Sequence, residues 1–262
     1  MSSPGSTHHF KNTTLLITHY NRSSSLERLL ETFRSYNCSF DDIVVSDDGS
    51  KPEHVQNLRT LKKEYMFRLL TVPENKGLGH NINKGQAAVK TAYTLYVQED
   101  FIPTPAFAGH FENALNMMET ENRWDLITFY AYVPYPYLKP YKNGFSEKMC
   151  KPWYINYKKI YAYTDHPHLR RSSFLQKFGN YAEGIKGDKT EYKMCVSFIQ
   201  KKGKSLFYND YKSLFIQKNS SEEPSTMTLT RSSWTQNSNL AIAILRDLYR
   251  QVKYNYDILF SR

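Results

Sequence analysis

The 262-residue chain is 40% hydrophobic and carries a formal charge of +10, enough apolar content for one large globular domain but with no run near the about 18 apolar residues that crossing a bilayer takes. Its first stretch, MSSPGSTHHFKN, lacks the apolar centre of a secretory signal, so a cytoplasmic protein is expected. The three cysteines, Cys38, Cys150 and Cys195, are odd in number, far apart and without CxxC spacing, which argues for reduced thiols and against a disulfide framework or a zinc site.

In chain order, four β-branched or apolar runs read as strands: TLLIT (14–18), DIVVSD (42–47), FRLLTV (67–72) and YTLYVQ (93–98). Helical spacing lies between them. Leu26, Leu29, Leu30 and Phe33 recur at i, i+3, i+4 and i+7 in SSSLERLLETF, with serines placed to cap the helix start. KPEHVQNLRTLKKEY begins behind a proline, and HNINKGQAAVKTAY reads as a third helix. Strands alternating with helices of this length predict an α/β fold, a mostly parallel sheet with helices on both faces. In open sheets of that kind ligands sit beyond the carboxyl ends of the strands. Those ends carry THYNR (18–22), SDDGS (46–50) and QEDF (98–101), so three polar loops are predicted to share one rim.

Past residue 124, DLITFY (125–130) is expected as a fifth strand. Residues 130 to 163 hold nine tyrosines and a tryptophan among several prolines, too irregular for a helix, and predict a smaller irregular lobe. EYKMCVSFIQKKG (191–203) looks helical and KSLFYNDYKSLFIQK looks like strands, while 219–239 is low in apolar residues and reads as a loop or linker. The last stretch, LAIAILRDLYRQVKYNYDILF, predicts an amphipathic helix with Leu245, Leu248, Val252 and Leu259 on one side and Arg246, Arg250 and Lys253 elsewhere. Charge is segregated: residues 139 to 218 hold 17 Lys+Arg against 6 Asp+Glu. Such a patch draws nucleic acid, an anionic membrane face or a phosphorylated substrate alike.

Each loop alone has an ordinary reading, since Asp-Gly-Ser is common turn chemistry. Taken in order, strand-ITHYNR-helix, strand-VVSDDGS, ENKGLGHNINKGQAAV and strand-QED resemble the nucleotide-sugar half of the family 2 glycosyltransferases of the GT-A fold. Those enzymes carry T-x-Y-N-R, VVDDGS, N-x-G-x-x-x-A-R-N-x-G and a D-x-D at a strand end. The resemblance covers about residues 13 to 107, with a weaker echo over roughly 165 to 216. It implies a Rossmann-like GT-A domain over 1–218, divided into a nucleotide-sugar half (13–107) and an acceptor half (108–218), then a linker and C-terminal amphipathic helix over 219–262.

The implied activity is inverting transfer from a nucleotide sugar, foremost a UDP-sugar, to a glycan or lipid-linked acceptor in cell-envelope polysaccharide synthesis. The implied place is the cytoplasm, with peripheral contact at the anionic inner face of the cell membrane an open alternative. By the same resemblance Thr18, Tyr20, Asn21 and Arg22 flank the donor, Asp48 accepts the N3–H of a uracil ring and Asp47 supports it. Asn75, Gly77, His80 and Asn81 line the diphosphate, with His80 standing where many relatives have arginine. A manganese or magnesium ion, whose taste is for carboxylate oxygen, falls to Asp100, with Glu99 in an indirect role. Gln98 replaces the first member of D-x-D.

Inversion also needs a general base. The resemblance gives Glu191 as first choice, because Tyr192 occupies the second acidic position of the usual Glu-Asp pair; Asp188 and then Glu183 follow. In DHPHLRR, His168 and Arg170 are expected to meet the acceptor, as are the tyrosine-rich and basic stretches, for which a packed aromatic lobe is the equal alternative. A nucleotidyltransferase would want a glycine-rich loop after the first strand, and THYNRSSS has none. A nucleic-acid-binding domain leaves the acidic strand ends unexplained, so no nucleic-acid partner is expected. A catalytically degenerate nucleotide-binding homologue, suggested by Gln98, His80 and Tyr192, stays open.

Overall fold

The computed structural model describes residues 6–219, 223 and 240–260, with the side chains of the last helix described from Ile242 onward. In chain order the elements are β1 (His8–His19), α1 (Ser23–Ser35), β2 (Cys38–Asp47), α2 (Pro52–Tyr65), β3 (Arg68–Leu70), α3 (Leu78–Ala88), β4 (Tyr93–Gln98), β5 (Phe101–Pro103), α4 (Phe107–Thr120), β6 (Leu126–Thr128), β7 (Leu138–Pro140), β8 (Phe145–Lys148), a 3-10 turn (Tyr157–Ala162), β9 (His168–Arg171), α5 (Phe174–Phe178), α6 (Gly187–Gln200), β10 (Ser205–Tyr208), β11 (Phe215–Gln217) and α7 (Leu240–Phe260).

Alternation along β1 sets the layering. Leu15 and Ile17 point to one face and Leu16 to the other, and all three are fully buried, so both faces need cover. Leu26, Leu29, Leu30 and Phe33 of α1 join the first core, and Ile82 of α3 joins the second. The sheet has nine strands in the order β3-β2-β1-β4-β9-β6-β10-β8-β7. β3, β2, β1 and β4 are mutually parallel, and their carboxyl ends form one rim.

The expected α/β architecture is present, with four differences of detail. The first strand starts earlier than TLLIT, since HHFKN opens β1 and pairs with β2. The fifth strand is confined to Leu126–Thr128 and does not lie beside β4, because β9 runs antiparallel between the two. The third helix starts earlier and stops at Ala88, where Val89 turns extended. The 130–163 stretch holds two short strands, β7 and β8, and the 3-10 turn. A two-stranded ribbon, β5 with β11, brings residues 215–217 against 101–103. All three cysteines are free.

The expected linker, 219–239, lies outside the described residues apart from Asn219 and Glu223. α7 docks on α6 and the 3-10 turn: the Tyr254 ring meets Tyr192 and Tyr157, and Ile258 joins the second core. The four residues of its expected apolar side are turned the other way. Leu245, Leu248, Val252 and Leu259 are 56 to 66% exposed. No helix among the described residues is long and apolar enough to cross a membrane.

Candidate active site

The rim is assembled by register. His19 ends β1 opposite Asp47 of β2, and Thr18 pairs with Gln98 of β4. The backbone N–H of Asp48 donates to the His19 carbonyl at 3.0 Å, and the N–H of Arg22 donates to His19 Nε2 at 3.2 Å. That second bond leaves the ring hydrogen on Nδ1, which donates to Asp47 Oδ1 at 2.8 Å. Burial acts to raise the Asp47 carboxyl, but hydrogen bonds from His19 and Ser50 hold it below the ordinary range. Asp47 is thereby a hinge pin between β1 and the SDDGS turn. Asn21, at φ 54°, accepts from the Lys51 N–H at 2.8 Å and closes the same turn.

Asp48 faces the third loop. Its two oxygens accept from the N–H groups of Lys76 (3.1 Å) and Gly77 (2.8 Å), just ahead of α3. His80 Nδ1 stands 4.0 Å from Asp48 Oδ1 and is buried without a hydrogen-bond partner. Asn81 is tied inward: it accepts from Ser46 Oγ and donates to the His19 carbonyl. The Thr18 hydroxyl is paired with that of Tyr96. Asn81 and Thr18 are thus buried ties between elements, while Tyr20 and Gly77 are half-buried and Asn75 is exposed around Asp48.

The acidic strand end is nearly closed to water. Glu99 is 8% and Asp100 3% exposed. Burial, followed by the charge of Asp100, pushes the Glu99 carboxyl up to about 8, with Arg22 opposing. Arg22 Nη1 lies 3.2 Å from Asp100 Oδ2 and 3.6 Å from Glu99 Oε1. Gln217 Nε2 donates to the same Oδ2 at 2.8 Å, across the β5–β11 ribbon. Asp100 Oδ1 is buried and has no hydrogen-bond partner. A lone buried carboxylate oxygen is costly unless something binds it. Among the described residues no three His, Cys, Asp or Glu side chains gather as a metal cage. The donor present, the unpartnered carboxylate oxygen of Asp100, is of the kind that suits a magnesium or manganese ion completed by phosphate and water.

On the far side of β4, Gln98 Nε2 reaches Asp165 Oδ2 at 3.4 Å. Asp165 in turn donates its backbone N–H to Glu191 Oε1 at 3.3 Å, and Thr164 Oγ1 donates there at 3.1 Å. Both carboxyls are pushed above the ordinary range, first by burial; at Asp165 the charge of Glu191 adds to the rise. Burial thus favours the protonated form at both carboxyls.

The other expected base candidates point elsewhere. Asp188 is exposed and accepts from the N–H of Lys189; Glu183 is exposed and accepts from Asn83. Tyr192 turns from the cleft to α7, where its hydroxyl bonds Asp257.

Two acceptor contacts expected from sequence are corrected by burial. His168 and Arg170 are fully enclosed on β9, in the middle of the sheet. Arg170 Nη2 donates to Gln86 at 2.7 Å and its Nη1 to the Tyr181 hydroxyl, while His168 Nδ1 donates to the His166 carbonyl at 2.7 Å. Burial, helped by the charge of Arg170, pushes the His168 imidazole well below its ordinary value. The Arg170 charge is affordable there because its polar atoms are matched, whereas His168 Nε2 is buried without a hydrogen-bond partner. Sequence reasoning passed over Asp165, although it opens the same DHPHLRR segment, and it gave no role to Gln217. It also missed Glu223, whose carboxylate accepts from the Ser24 and Ser25 N–H groups at 3.0 and 2.9 Å and caps α1.

No curated protein matches the chain. Among solved structures it is similar to S. aureus TarS 1–349 in complex with UDP-GlcNAc, at TM-score 0.64 and 14% identity over 94% of this chain and 71% of that one. It is also similar to the mannosyltransferase PcManGT from Pyrobaculum calidifontis in complex with GDP-Man and Mn2+, at TM-score 0.52 and 12% identity over 79% of this chain and 56% of that one. GalNAc-T7 with UDP, GalNAc and Mn2+ gives TM-score 0.55 and 14% identity over 75% and 42%. These likenesses carry the fold, which is GT-A. Residues 14–176, more than half the chain, match the family model described as glycosyl transferase family 2. With the rim loops in the family's order and that match spanning both β4 and β9, the chain belongs to glycosyl transferase family 2.

Proposed function

We propose that this chain is an inverting, cation-dependent glycosyltransferase that takes a sugar from a nucleotide-sugar donor, foremost a UDP-sugar, and passes it to a glycan or lipid-linked acceptor. The observation that carries the reading is the buried, unpartnered Oδ1 of Asp100 on a rim that also holds Asp48 and the Asp165–Glu191 pair. Its neighbours in fold include proteins solved with UDP-GlcNAc and with GDP-Man and Mn2+, which supports a nucleotide-sugar donor.

Asp48 keeps a lone pair on each oxygen beyond those given to Lys76 and Gly77, and these receive the N3–H of the base. Tyr20 and Asn21 flank the ribose, and His80 Nδ1 faces the phosphates. Asp100 would hold the divalent ion, with Glu99 behind it. When bound, such an ion neutralises charge on the departing nucleoside diphosphate. The Asp165–Glu191 pair accepts the proton of the acceptor hydroxyl, Asp165 being the member that faces Gln98 at the rim. The 17-to-6 excess of basic residues over 139–218 supports an acceptor bearing phosphate, as in the lipid-linked intermediates of envelope polysaccharide synthesis at the inner face of the cell membrane. Residues 1–218 are the catalytic unit on this reading.

The test is nucleotide release from a panel of UDP- and GDP-sugars, with and without manganese. Cation-dependent hydrolysis that Asp100→Asn slows by roughly 100-fold is expected. Calorimetry showing no nucleotide binding overturns the reading. Binding without release for every donor favours a degenerate homologue, the reading suggested by Gln98, His80 and Tyr192.

A further inference from the structure

The outer side of α7 is apolar where a helix docked on its own domain is normally polar. Beside the four outward aliphatics it carries Tyr249 and Tyr256, with Ile244 and Phe260 at its margins, all exposed. At 3.6 residues per turn these positions span an arc of roughly 160°. The docked side, by contrast, is built from Tyr254, Ile258 and polar groups: Arg250 donates to the Tyr157 hydroxyl, Gln251 to the Tyr154 carbonyl and Lys253 to Asp257.

A second apolar exposure adjoins it. Trp153 is 71% and Ile155 85% exposed, and the residue between them, Tyr154, is the one held by Gln251 of α7. The loop is not slack. Lys159 is fully buried, and its ammonium donates to the carbonyls of Lys151, Pro152 and Tyr154 at 3.3, 2.6 and 2.6 Å. Three bonds from one buried cation fix the loop with its tryptophan outward. Cations flank both exposures: the Lys151 ammonium sits 5.3 Å from the Trp153 ring centroid, and Lys189 and Lys193 are exposed on α6, against which α7 packs. The nearby acids of α7 are internally paired, Asp247 with Arg250 and Asp257 with Lys253.

We propose that the outer face of α7 together with the Trp153–Ile155 tip is a docking surface for an anionic lipid bilayer. An apolar stripe that ends in tyrosine and tryptophan and is bordered by lysines is the pattern of a helix lying in the headgroup layer. Charge complementarity selects the lipid, because the basic excess of the chain falls wholly in the segment that carries this tip. A second copy of the chain fits less well. A coiled-coil seam through Leu245, Leu248, Val252 and Leu259 meets Asn255 in its fourth place, is narrower than the exposed face, and leaves the tip uncovered. The surface contains none of the donor-site residues, so its test does not read turnover.

The full chain is sedimented with vesicles of phosphatidylcholine alone and of phosphatidylcholine containing phosphatidylglycerol at roughly one part in three. Binding to the anionic vesicles is expected, at least about tenfold above the neutral ones and weakening as salt is raised. The pairs Leu248→Glu/Val252→Glu and Trp153→Ser/Ile155→Ser are each expected to cut binding roughly tenfold, with circular dichroism and melting temperature near those of the parent. The second pair alters only the loop tip, so it keeps the test decisive if the helix pair unfolds. A chain that stays in the supernatant with both vesicle types overturns the proposal. So does a loop-tip variant that sediments like the parent, or a dimer in sedimentation velocity that Leu248→Glu/Val252→Glu dissolves while vesicles bind nothing.

Discussion

Asp100 has two oxygens in different circumstances, and the difference decides what a substitution there should do. Oδ2 is already matched by Arg22 and Gln217, while Oδ1 is matched by nothing. Asparagine keeps the shape and can still accept from Gln217, so Asp100→Asn should fold normally. On the proposed reading it should lose roughly 100-fold in kcat, about 3 kcal/mol of transition-state stabilisation, with nucleotide affinity measured by calorimetry in the absence of cation little changed. Asp165→Asn should cost kcat by roughly 100-fold or more, the ordinary worth of a positioned base. Because the pair titrates above the ordinary carboxylate range, the acid limb of the parent pH–rate profile should lie well above pH 4. A limb at ordinary carboxylate pH would remove the pair from the proton path. Asp48 and Asp100 were legible because turn chemistry and strand ends are local signals. Asp165 was not, because its partners Gln98 and Glu191 lie 67 and 26 residues away. Beside His166, His168 and Arg170 it drew no attention, yet His168 and Arg170 prove to be fully enclosed in the sheet.

At the scale of elements, α3 is the piece that fixes the site, since it carries His80 and Asn81 and has its start held by Asp48. It can come that close only without side chains. A Cβ on Gly79 would stand 2.2 Å from the Ala182 carbonyl oxygen, and one on Gly85 would stand 2.6 Å from Leu16 Cδ1. Backbone cannot yield as a side chain does, so Gly79→Ala is expected to destabilise by about 1–3 kcal/mol, the usual cost of overpacking. Urea titration should show a lower midpoint with an unchanged slope; an unchanged midpoint would mean that the loop around Ala182 moves freely. Two glycines of NKGLGHNINKG are thereby placed where backbone and side chains of neighbouring elements press closest. Element types were legible wherever a period ran for several turns, as in α1, or alternated cleanly, as in β4. The antiparallel insertion of β9 between β4 and β6 was not legible, because three- and four-residue strands carry too little pattern to reveal their neighbours. The same holds for β5 and β11, which bring Gln217 to Asp100 across 117 residues. Only the packed sheet makes that contact.

For the molecule as a whole, buried acids and buried bases bend the stability curve in opposite senses. Asp165 and Glu191 have folded values raised above their unfolded ones, so the stability they contribute is present below about pH 4 and is lost as pH rises through the folded values. His166, pushed down to about 4 by burial and by Lys148, and His168, lowered by burial and Arg170, contribute above about pH 6.5 and lose that contribution as pH falls. Replacing one acid with its amide removes only the first dependence. Calorimetry should therefore find Asp165→Asn more heat-stable than the parent at pH 8, by a few degrees for each 1–2 kcal/mol in a chain of this size, with the gain shrinking toward pH 5. A gain that is equal at both pH values would mean that the Asp165 carboxyl is not raised in the folded chain. The same variant is expected to be the slow one, since a carboxyl pair held at unfavourable charge is useful only if an acceptor proton has to go there. Stability gained at pH 8 together with turnover lost is the joint result that a catalytic pair produces; a merely structural pair would change the melting curve and leave the rate alone.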